Sequence, residues 1–492
     1  MKRAITKFLS RKYVQHEEFN VRNNNYRHMK TKFITFITIG LLAISWTSCD
    51  KLMDIEHDED STLQIIDSAL QTTADMQALL NSCYDIMANA YAGNQQNLSE
   101  LLSNDLETPY NHDDYAEVYN RNTLFFNSTI GSYYGDPYTA IMRANTIFEN
   151  FDRIQDLTPE DKLRFEAEGR FIRGVNHYEV AQLFAQPYGF TSDNSHQGIA
   201  LRTEVSIDPI PRASVAEIFA SVIEDLKFAE ENLPLSNVTD GIPYADKWAA
   251  KAMLARVYFQ MNDFQNASDY ASEVIDQGPF TLDSLNARWS DDISTENIFT
   301  LVKSLVYNSG SSLRDSYRDD SNLPRFRATK EYYEVLYGVA GTPSDERRTW
   351  LDIQEAGSPT EFYSVNRFDA ETFNIPFLNL TEIMLIRAES NGELGSDLLS
   401  AINDLNLIKD RAGIGNISEG SSALIVISNA QLERVKEMLG EGRYAYDLKR
   451  RGANGDDITV RGAPWDCDGM ILQFPNSENT SNFDMNETGG CN

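Results

Sequence analysis

The sequence predicts an all-α fold, built from tetratricopeptide-type helix pairs and long irregular loops rich in aromatic residues. Residues 250–261 carry apolar side chains at helical spacing, and the pattern resumes in residues 264–275 after a polar break. The segment that begins at Met384 repeats the order of the segment that begins at Met253, as expected for a repeated helical hairpin. Between the helical segments lie two long stretches without a steady period.

The amino-terminal residues predict a lipoprotein signal peptide. Residues 33–46 form an apolar run of 14 residues, which is too short to span a bilayer, since a spanning helix needs about 20. Lysines precede the run, and small residues followed by Cys49 end it, in the arrangement of a bacterial lipobox whose cysteine is acylated. Because Met29 opens a complete leader, we interpret residues 1–28 as a start-site extension and residues 29–48 as the signal peptide. An ordinary signal peptide with an incidental cysteine is the alternative.

The charge of the chain argues against a nucleic-acid partner. The sequence has 43 basic and 74 acidic side chains and a formal net charge of −31. Such a surface repels nucleic acid and anionic lipid. Attachment to a membrane therefore depends on the lipid at Cys49, and the acidic residues that follow it predict a solvated tether over residues 49–69.

The other three cysteines have structural roles in this interpretation. Cys83 falls on an apolar helical face together with Leu80 and Met87, so we expect a buried thiol rather than a nucleophile. Cys467 and Cys491 lie in loop-like segments, and an exported protein reaches a compartment that permits disulfides. We therefore expect these two residues to form a disulfide bond.

Recognisable catalytic motifs are absent from the sequence. It contains no HExxH, CxxC or GxSxG motif and no glycine-rich phosphate loop. The histidines that follow the leader are too scattered to suggest a metal site: His57, His112, His177 and His196. A glycosidase carboxylate pair has no sequence signature and stays open as an alternative. We expect a binding protein that uses no cofactor and no metal.

The two aperiodic segments, residues 104–138 and 279–376, carry the candidate ligand site. Both interleave tyrosines with amide and charged side chains. Sugar rings pack on aromatic planes and their hydroxyl groups need polar partners, although peptides can use the same groups. The candidate contacts are Tyr110, Asn111, Tyr115, Tyr119, Tyr307, Asn308, Arg314 and Tyr317. For each tyrosine, packing against the helical core is the alternative.

Charged residues that interrupt the apolar helical stripes predict interhelical ion pairs. A desolvated guanidinium group is tolerated when a carboxylate accepts its hydrogen bonds. The residues are Arg170, Arg173, Arg256, Arg387, Arg443 and Asp447. Separately, Ser214 with Glu217 three residues later predicts a capping box at the start of a helix.

Several motifs, taken in order, resemble successive signatures of the SusD/RagB family. They include "EAEGRFIRGVNHYEVAQLFAQPYG" (166–189), "KWAAKAMLARVYFQMNDFQNASDYASEVI" (247–275), "TEIMLIRAES" (381–390) and "LERVKEMLGEGRYAYDLKRRG" (432–452). The C-terminus departs from the pattern, because it lacks the proline-rich, NPGY-like ending of many members. The resemblance implies a SusD-like fold with an N-terminal half over residues 70–278 and a C-terminal half over residues 279–492, which together form one compact domain.

The resemblance also implies a function. Such proteins are surface-exposed outer-membrane lipoproteins, and acidic residues directly after the cysteine resemble the signal that exports them to the outer face of the cell. The implied partner is a SusC-like TonB-dependent barrel, over which the protein sits as a lid, and the implied ligand is an oligosaccharide or oligopeptide nutrient. Loops in the two aromatic segments are the usual ligand-facing ones. A tetratricopeptide adaptor that binds other proteins is the alternative, and a surface hydrolase comes third.

Overall fold

Helices dominate the computed structural model, which describes residues 70–111, 113–239, 242–302, 311–317, 324–337, 345–370 and 372–491. The predicted leader, Cys49 with its acidic tether, Tyr307 and Asn308 lie outside these ranges. The chain from Gln71 to Asn492 forms one compact unit. Among the described helices, none combines the length and the apolar character that crossing a membrane requires.

The helices of the described residues follow one another in short succession. They are α1 (Thr73–Ala90), α2 (Asn94–Glu100), α3 (Asp114–Tyr119), α4 (Ser128–Glu149), α5 (Pro159–Phe184), α6 (Val215–Asn232), α7 (Lys247–Gln260), α8 (Phe264–Gln277), α9 (Ser311–Tyr317), α10 (Lys330–Tyr337), α11 (Leu380–Leu394), α12 (Leu398–Arg411), α13 (Ala423–Glu437) and α14 (Tyr444–Ala453).

The described strands are short and all their pairings are antiparallel. They are β1 (Leu106–Glu107), β2 (Val238–Thr239), β3 (Ile242–Pro243), β4 (Asn297–Leu301), β5 (Arg327–Ala328), β6 (Leu351–Gln354), β7 (Phe362–Val365), β8 (Ile375–Asn379), β9 (Thr459–Val460) and β10 (Ala463–Pro464). One sheet has four strands in the order β1-β5-β7-β6, and the others are two-stranded. The helical content confirms the predicted all-α fold.

The two predicted helical hairpins are present. Asn262, with φ of 58°, turns the chain between α7 and α8, and Gly395, with φ of 62°, ends α11 before α12. Side-chain caps fix where the helices begin: Asp246 accepts a hydrogen bond from the N–H of Ala249 at 2.9 Å. Helix α8 packs against both α7 and α11, and α11 packs against α12 and α13 around a continuous apolar cluster.

The predicted ion pairs are confirmed, and most of them join two helices. Arg256 of α7 contacts both carboxylate oxygens of Glu382 in α11, at 2.8 and 2.6 Å. Arg173 of α5 holds Asp225 of α6 in the same bidentate way, at 2.8 and 2.7 Å. The remaining predicted residues pair as Arg387–Asp404, Arg170–Glu166, Arg443–Glu179 and Asp447–Arg450. The capping box of Ser214 and Glu217 is also confirmed, at the start of α6.

The structure differs from the expectation that residues 104–138 are irregular. This stretch contains α3 and the first half of α4. The start of α4 includes two glycines and Pro137, which have low helix propensity and hide the helical period in the sequence. Tertiary packing overrides that propensity, because Ile130, Tyr133 and Tyr134 on one side of α4 are buried.

Candidate functional site

Strand pairing brings the two aromatic-rich segments together. Strand β1 pairs with β5, and Leu106 lies opposite Ala328. Beside this pairing, the guanidinium group of Arg325 lies 5.3 Å from the centre of the Tyr115 ring. The Nη1 atom of Arg325 is also 3.7 Å from Oδ2 of Asp113. Two segments that are far apart in the sequence therefore share one surface.

Tyr115 and Tyr317 lie in the interior, which favours the alternative that these two tyrosines pack against the core over the prediction that they contact a ligand. Tyr115 is 9% exposed and Tyr317 is 1% exposed. Both rings pack on Phe326, with centroid distances of 5.0 Å for Tyr115 and 5.8 Å for Tyr317. Burial raises the pKa of both phenols above the ordinary value. The contact of Tyr115 with Phe326 joins the two segments, Tyr317 packs on the same phenylalanine from within the second segment, and little of either tyrosine is exposed.

Several side chains remain at the surface of the joined segments, and we call five of them the two-segment face: Tyr110, Asn111, Tyr119, Arg325 and Arg327. Tyr110 is 42% exposed, Asn111 is exposed, and Tyr119 is partly exposed. Arg314, another predicted contact, is partly buried in α9. The face thus retains an exposed aromatic ring, an amide and two cationic groups, which is a suitable set for a polar ligand with apolar faces.

Arg325 and Arg327 of the face were missed by the sequence analysis. The signal that identifies them is a short period of two, because exposed Arg325 and partly exposed Arg327 alternate with buried Phe326 and Ala328. The guanidinium group of Arg327 lies 4.0 Å from the centre of the Phe362 ring in the neighbouring part of the sheet. A two-residue strand is too short for this alternation to stand out in the sequence alone.

The C-terminal tail contacts the chain just after α3, in the first segment of the face. Cys467 and Cys491, the pair expected from the sequence, are joined by a disulfide bond, and their Cα atoms are 5.4 Å apart. The backbone N–H of Gly489 donates a hydrogen bond to the carbonyl oxygen of Arg121 at 3.0 Å. Because Gly489 lies within the loop that the disulfide closes, the bond restrains the residues that follow α3.

Two buried carboxylic acids lie close to Tyr317. Burial raises the pKa of Glu100 to about 8 and raises that of Asp105 well above its ordinary value. Glu100 Oε1 accepts a hydrogen bond from the N–H of Gly442 at 2.6 Å. The raised pKa means that Glu100 is mainly protonated at neutral pH, so the interior under the face carries less negative charge than its composition implies.

Cys83 and His177 are both buried and uncharged at neutral pH. Burial raises the pKa of the free thiol of Cys83 to about 12, which leaves the thiol protonated and unreactive at neutral pH. Burial lowers the pKa of His177 to about 3, and its Nε2 accepts a hydrogen bond from the N–H of Arg202 at 3.2 Å. Within the described ranges, no group of three or more His, Cys, Asp or Glu side chains is placed to hold a metal ion.

A cavity of about 590 Å³ opens elsewhere, between α1, α5 and the β2–β3 hairpin. Its wall includes Arg164 and Glu168. Glu168 accepts hydrogen bonds from Arg164 at 2.9 Å and from the Tyr84 hydroxyl at 2.8 Å, one on each carboxylate oxygen. Because this carboxylate is already engaged, the cavity is a weaker candidate than the two-segment face.

Comparisons with known proteins agree on one family. A family model described as "Starch-binding associating with outer membrane" matches residues 59–259, and a model described as "SusD family" matches residues 358–487. SusD-like protein P2 of Formosa agariphila is 26% identical over 480 residues, which cover 86% of this chain and 91% of that protein.

Solved structures share the fold. A SusD superfamily protein from Bacteroides thetaiotaomicron superposes with a TM-score of 0.74 at 22% identity, covering 85% of this chain and all of that one. A laminarin-binding SusD-like protein superposes with a TM-score of 0.67 at 20% identity, covering 85% of this chain and 99% of that one. Taken with the two family models, which match most of both predicted halves, these similarities assign the family: the chain is a member of the SusD/RagB family.

Proposed function

We propose that this protein is a surface-exposed outer-membrane lipoprotein that binds oligosaccharides and serves as the lid of a SusC-like TonB-dependent barrel. In this proposal the ligand is captured between the lid and the barrel, and the barrel transports it. The protein binds its ligand without cleaving it and needs no cofactor. Family membership supports the general role in nutrient uptake, and the laminarin-binding structural relative favours a glycan over a peptide.

One observation carries the proposal for the ligand site. The pairing of β1 with β5 joins the two aromatic-rich segments and leaves Tyr110 and Asn111 exposed beside Arg325 and Arg327. An aromatic plane packs on the C–H face of a sugar ring, while amide and guanidinium groups donate hydrogen bonds to its hydroxyl groups. The two-segment face combines all three kinds of group.

Calorimetric titration with laminarin oligosaccharides tests this site. We expect Tyr110→Ala to weaken binding several-fold, because a lost stacking contact is worth about 1 kcal/mol. Phe190→Ala is the matched control, since Phe190 is 40% exposed and contacts His196 and Trp465 instead of the face. Equal weakening by both variants, or by neither, would contradict the assignment of the site.

The same titration separates binding from catalysis and from a peptide ligand. Chromatography of the oligosaccharide recovered from the wild-type protein should show it unchanged in length. Shortened products would favour the hydrolase alternative. Binding of an oligopeptide mixture in place of every glycan tried would favour peptide uptake, and binding of neither would favour the adaptor alternative.

Membrane attachment is a separate part of the proposal, and it rests on Cys49. We expect Cys49→Ala to leave a folded protein that is no longer found in the outer-membrane fraction of cells that lack the barrel. The wild-type protein in the same cells is the control. A variant that still fractionates with the outer membrane would contradict the lipobox interpretation.

A further inference from the structure

Two arginines lie together at the border of the two-segment face, next to Tyr119. Arg121 follows α3 and is 4% exposed, and its Nη2 donates a hydrogen bond to the carbonyl oxygen of Val460 at 2.6 Å. The next residue is Arg461, whose guanidinium group lies 4.0 Å from the centre of the Tyr119 ring. The loop after α3 and the β9–β10 hairpin thus bring two cationic groups into one place.

Neither arginine has an acidic partner within the described part of the chain. The Nε of Arg121 is buried without a hydrogen-bond partner, and the two buried Nη atoms of Arg461 have no carboxylate or carbonyl partner among the described residues, only the Tyr119 side chain beside them. Burial and the neighbouring charge of Arg461 lower the pKa of Arg121 to about 10, and burial lowers that of Arg461. Other buried arginines pair with carboxylates, as in Arg173–Asp225, Arg288–Glu441, Arg347–Asp345 and Arg450–Asp447. Arg461 is partly exposed but its Nη atoms are buried, so in a chain with a net charge of −31 this cationic pair lacks a carboxylate as its counter-charge.

Both arginines lie in tight turns of the backbone, and Arg121 follows the end of α3, where the N–H of Asn122 donates a hydrogen bond to the carbonyl oxygen of Glu117 at 3.0 Å. Arg121 has a φ of 55° and Arg461 a φ of 49°, a region that residues other than glycine, asparagine and aspartate rarely adopt. Arg461 and Gly462 form the two-residue turn of the β9–β10 hairpin, where asparagine or aspartate is favoured at the first position.

We propose that Arg121 and Arg461 bind an oxyanion carried by the glycan ligand, either a sulfate ester or a uronic acid carboxylate. Guanidinium groups bind both oxyanions through paired N–H donors. This inference rests on the proposed glycan-binding function, because the two arginines lie next to Tyr119, which belongs to the proposed glycan-binding face. In this structure the Tyr119 side chain lies against the Arg461 guanidinium group, and the proposal requires this partly exposed side chain to move when the oxyanion binds.

Titrations with three oligosaccharides of equal length test the proposal: a heparin-derived sulfated one, an oligogalacturonate and a neutral laminarin fragment. The informative variant is Arg461→Asn, since asparagine suits the turn and the protein should melt at the wild-type temperature or above it. We expect this variant to weaken binding of the sulfated or the carboxylated ligand by about tenfold or more, and to leave neutral-ligand binding unchanged. Arg451→Gln is the matched control, because Arg451 pairs with Asp456 away from the face.

Melting in sodium sulfate separates this inference from the proposed function. Sulfate stabilises most proteins because it is excluded from their surface. The quantity to compare is therefore the rise in melting temperature that sulfate causes in the wild-type protein and in Arg461→Asn, and a larger rise in the wild type indicates a bound sulfate ion. Extra stabilisation without binding of any oligosaccharide would support the oxyanion site and refute the glycan function. If the wild-type protein binds the neutral ligand, and Arg461→Asn binds the anionic ligands as tightly as the wild type does, the oxyanion site is refuted and the glycan function stands. Failure of every ligand together with equal sulfate effects would refute both.

Discussion

Replacing Tyr317 by alanine tests whether the second aromatic-rich segment packs in the interior around Phe326, the residue that also contacts Tyr115. The side chain is 1% exposed, and its ring centre lies 5.8 Å from that of Phe326 and 5.2 Å from that of Phe368. Removing a buried aromatic side chain leaves a cavity and lowers the free energy of unfolding by about 3–5 kcal/mol. Tyr317→Phe removes only a hydroxyl that is buried without a hydrogen-bond partner among the described residues. We expect that change to be neutral or stabilising by about 1 kcal/mol at most.

Urea unfolding followed by circular dichroism measures these differences, and calorimetric titration on the same samples measures ligand affinity. Tyr110→Ala is the matched control, because its ring is 42% exposed and its removal should change the free energy of unfolding by less than about 0.5 kcal/mol. The two alanine variants should therefore behave oppositely, one losing stability and the other affinity. A Tyr317→Ala protein with wild-type stability and lost binding would refute the assignment of Tyr317 to the interior.

Three further predictions concern the disulfide, a buried acid and a buried ion pair. Changing both Cys467 and Cys491 to serine should lower the free energy of unfolding by about 3 kcal/mol, as expected for a closed loop with a sequence separation of 24. Wild-type stability of this variant in urea unfolding would contradict a structural role for the disulfide bond. The raised pKa of Glu100 means that the folded state binds a proton more tightly than the unfolded chain, so stability falls between pH 4.5 and about 8. Melting curves across that range should show a smaller fall in melting temperature for Glu100→Gln than for the wild type. An equal fall in both proteins would mean that another group causes the pH dependence of stability. Arg173→Met leaves buried Asp225 with only the longer contact to Arg170 at 3.6 Å and should cost about 3 kcal/mol in urea unfolding, part of which Asp225→Leu should restore in the double variant.

Local patterns made much of the fold predictable. The α7–α8 hairpin follows from apolar residues at helical spacing on either side of a polar break, and the cap of α6 follows from Ser214 and Glu217. The ion pairs were predictable in kind, because an arginine within an apolar stripe requires a carboxylate, but their partners were not. Arg256 pairs with Glu382, which lies on a helix far along the chain, and no local sequence pattern identifies Glu382 as the partner.

The candidate site was predictable only as a region. Both aromatic-rich segments were identified, but the sequence analysis did not separate scaffold from surface, and it missed the cationic side chains of Arg121, Arg325 and Arg461. The conformations of Arg121 and Arg461 depend on a tight turn and on the tail that Cys491 closes. Neither arginine lies in an element long enough to show a period.

The sequence by itself determined the two helical hairpins, the cap of α6 and the need for buried counter-charges, because each depends on residues within one or two helical turns. Only the tertiary structure decided which tyrosines lie inside. Tyr110 and Tyr115 are close in sequence and have similar neighbours, yet Tyr115 is buried and Tyr110 is exposed. The difference comes from the pairing of β1 with β5, which brings Phe326 of a distant segment onto the Tyr115 ring. A contact between residues so far apart leaves no pattern in either segment, so it exists only once the chain has folded.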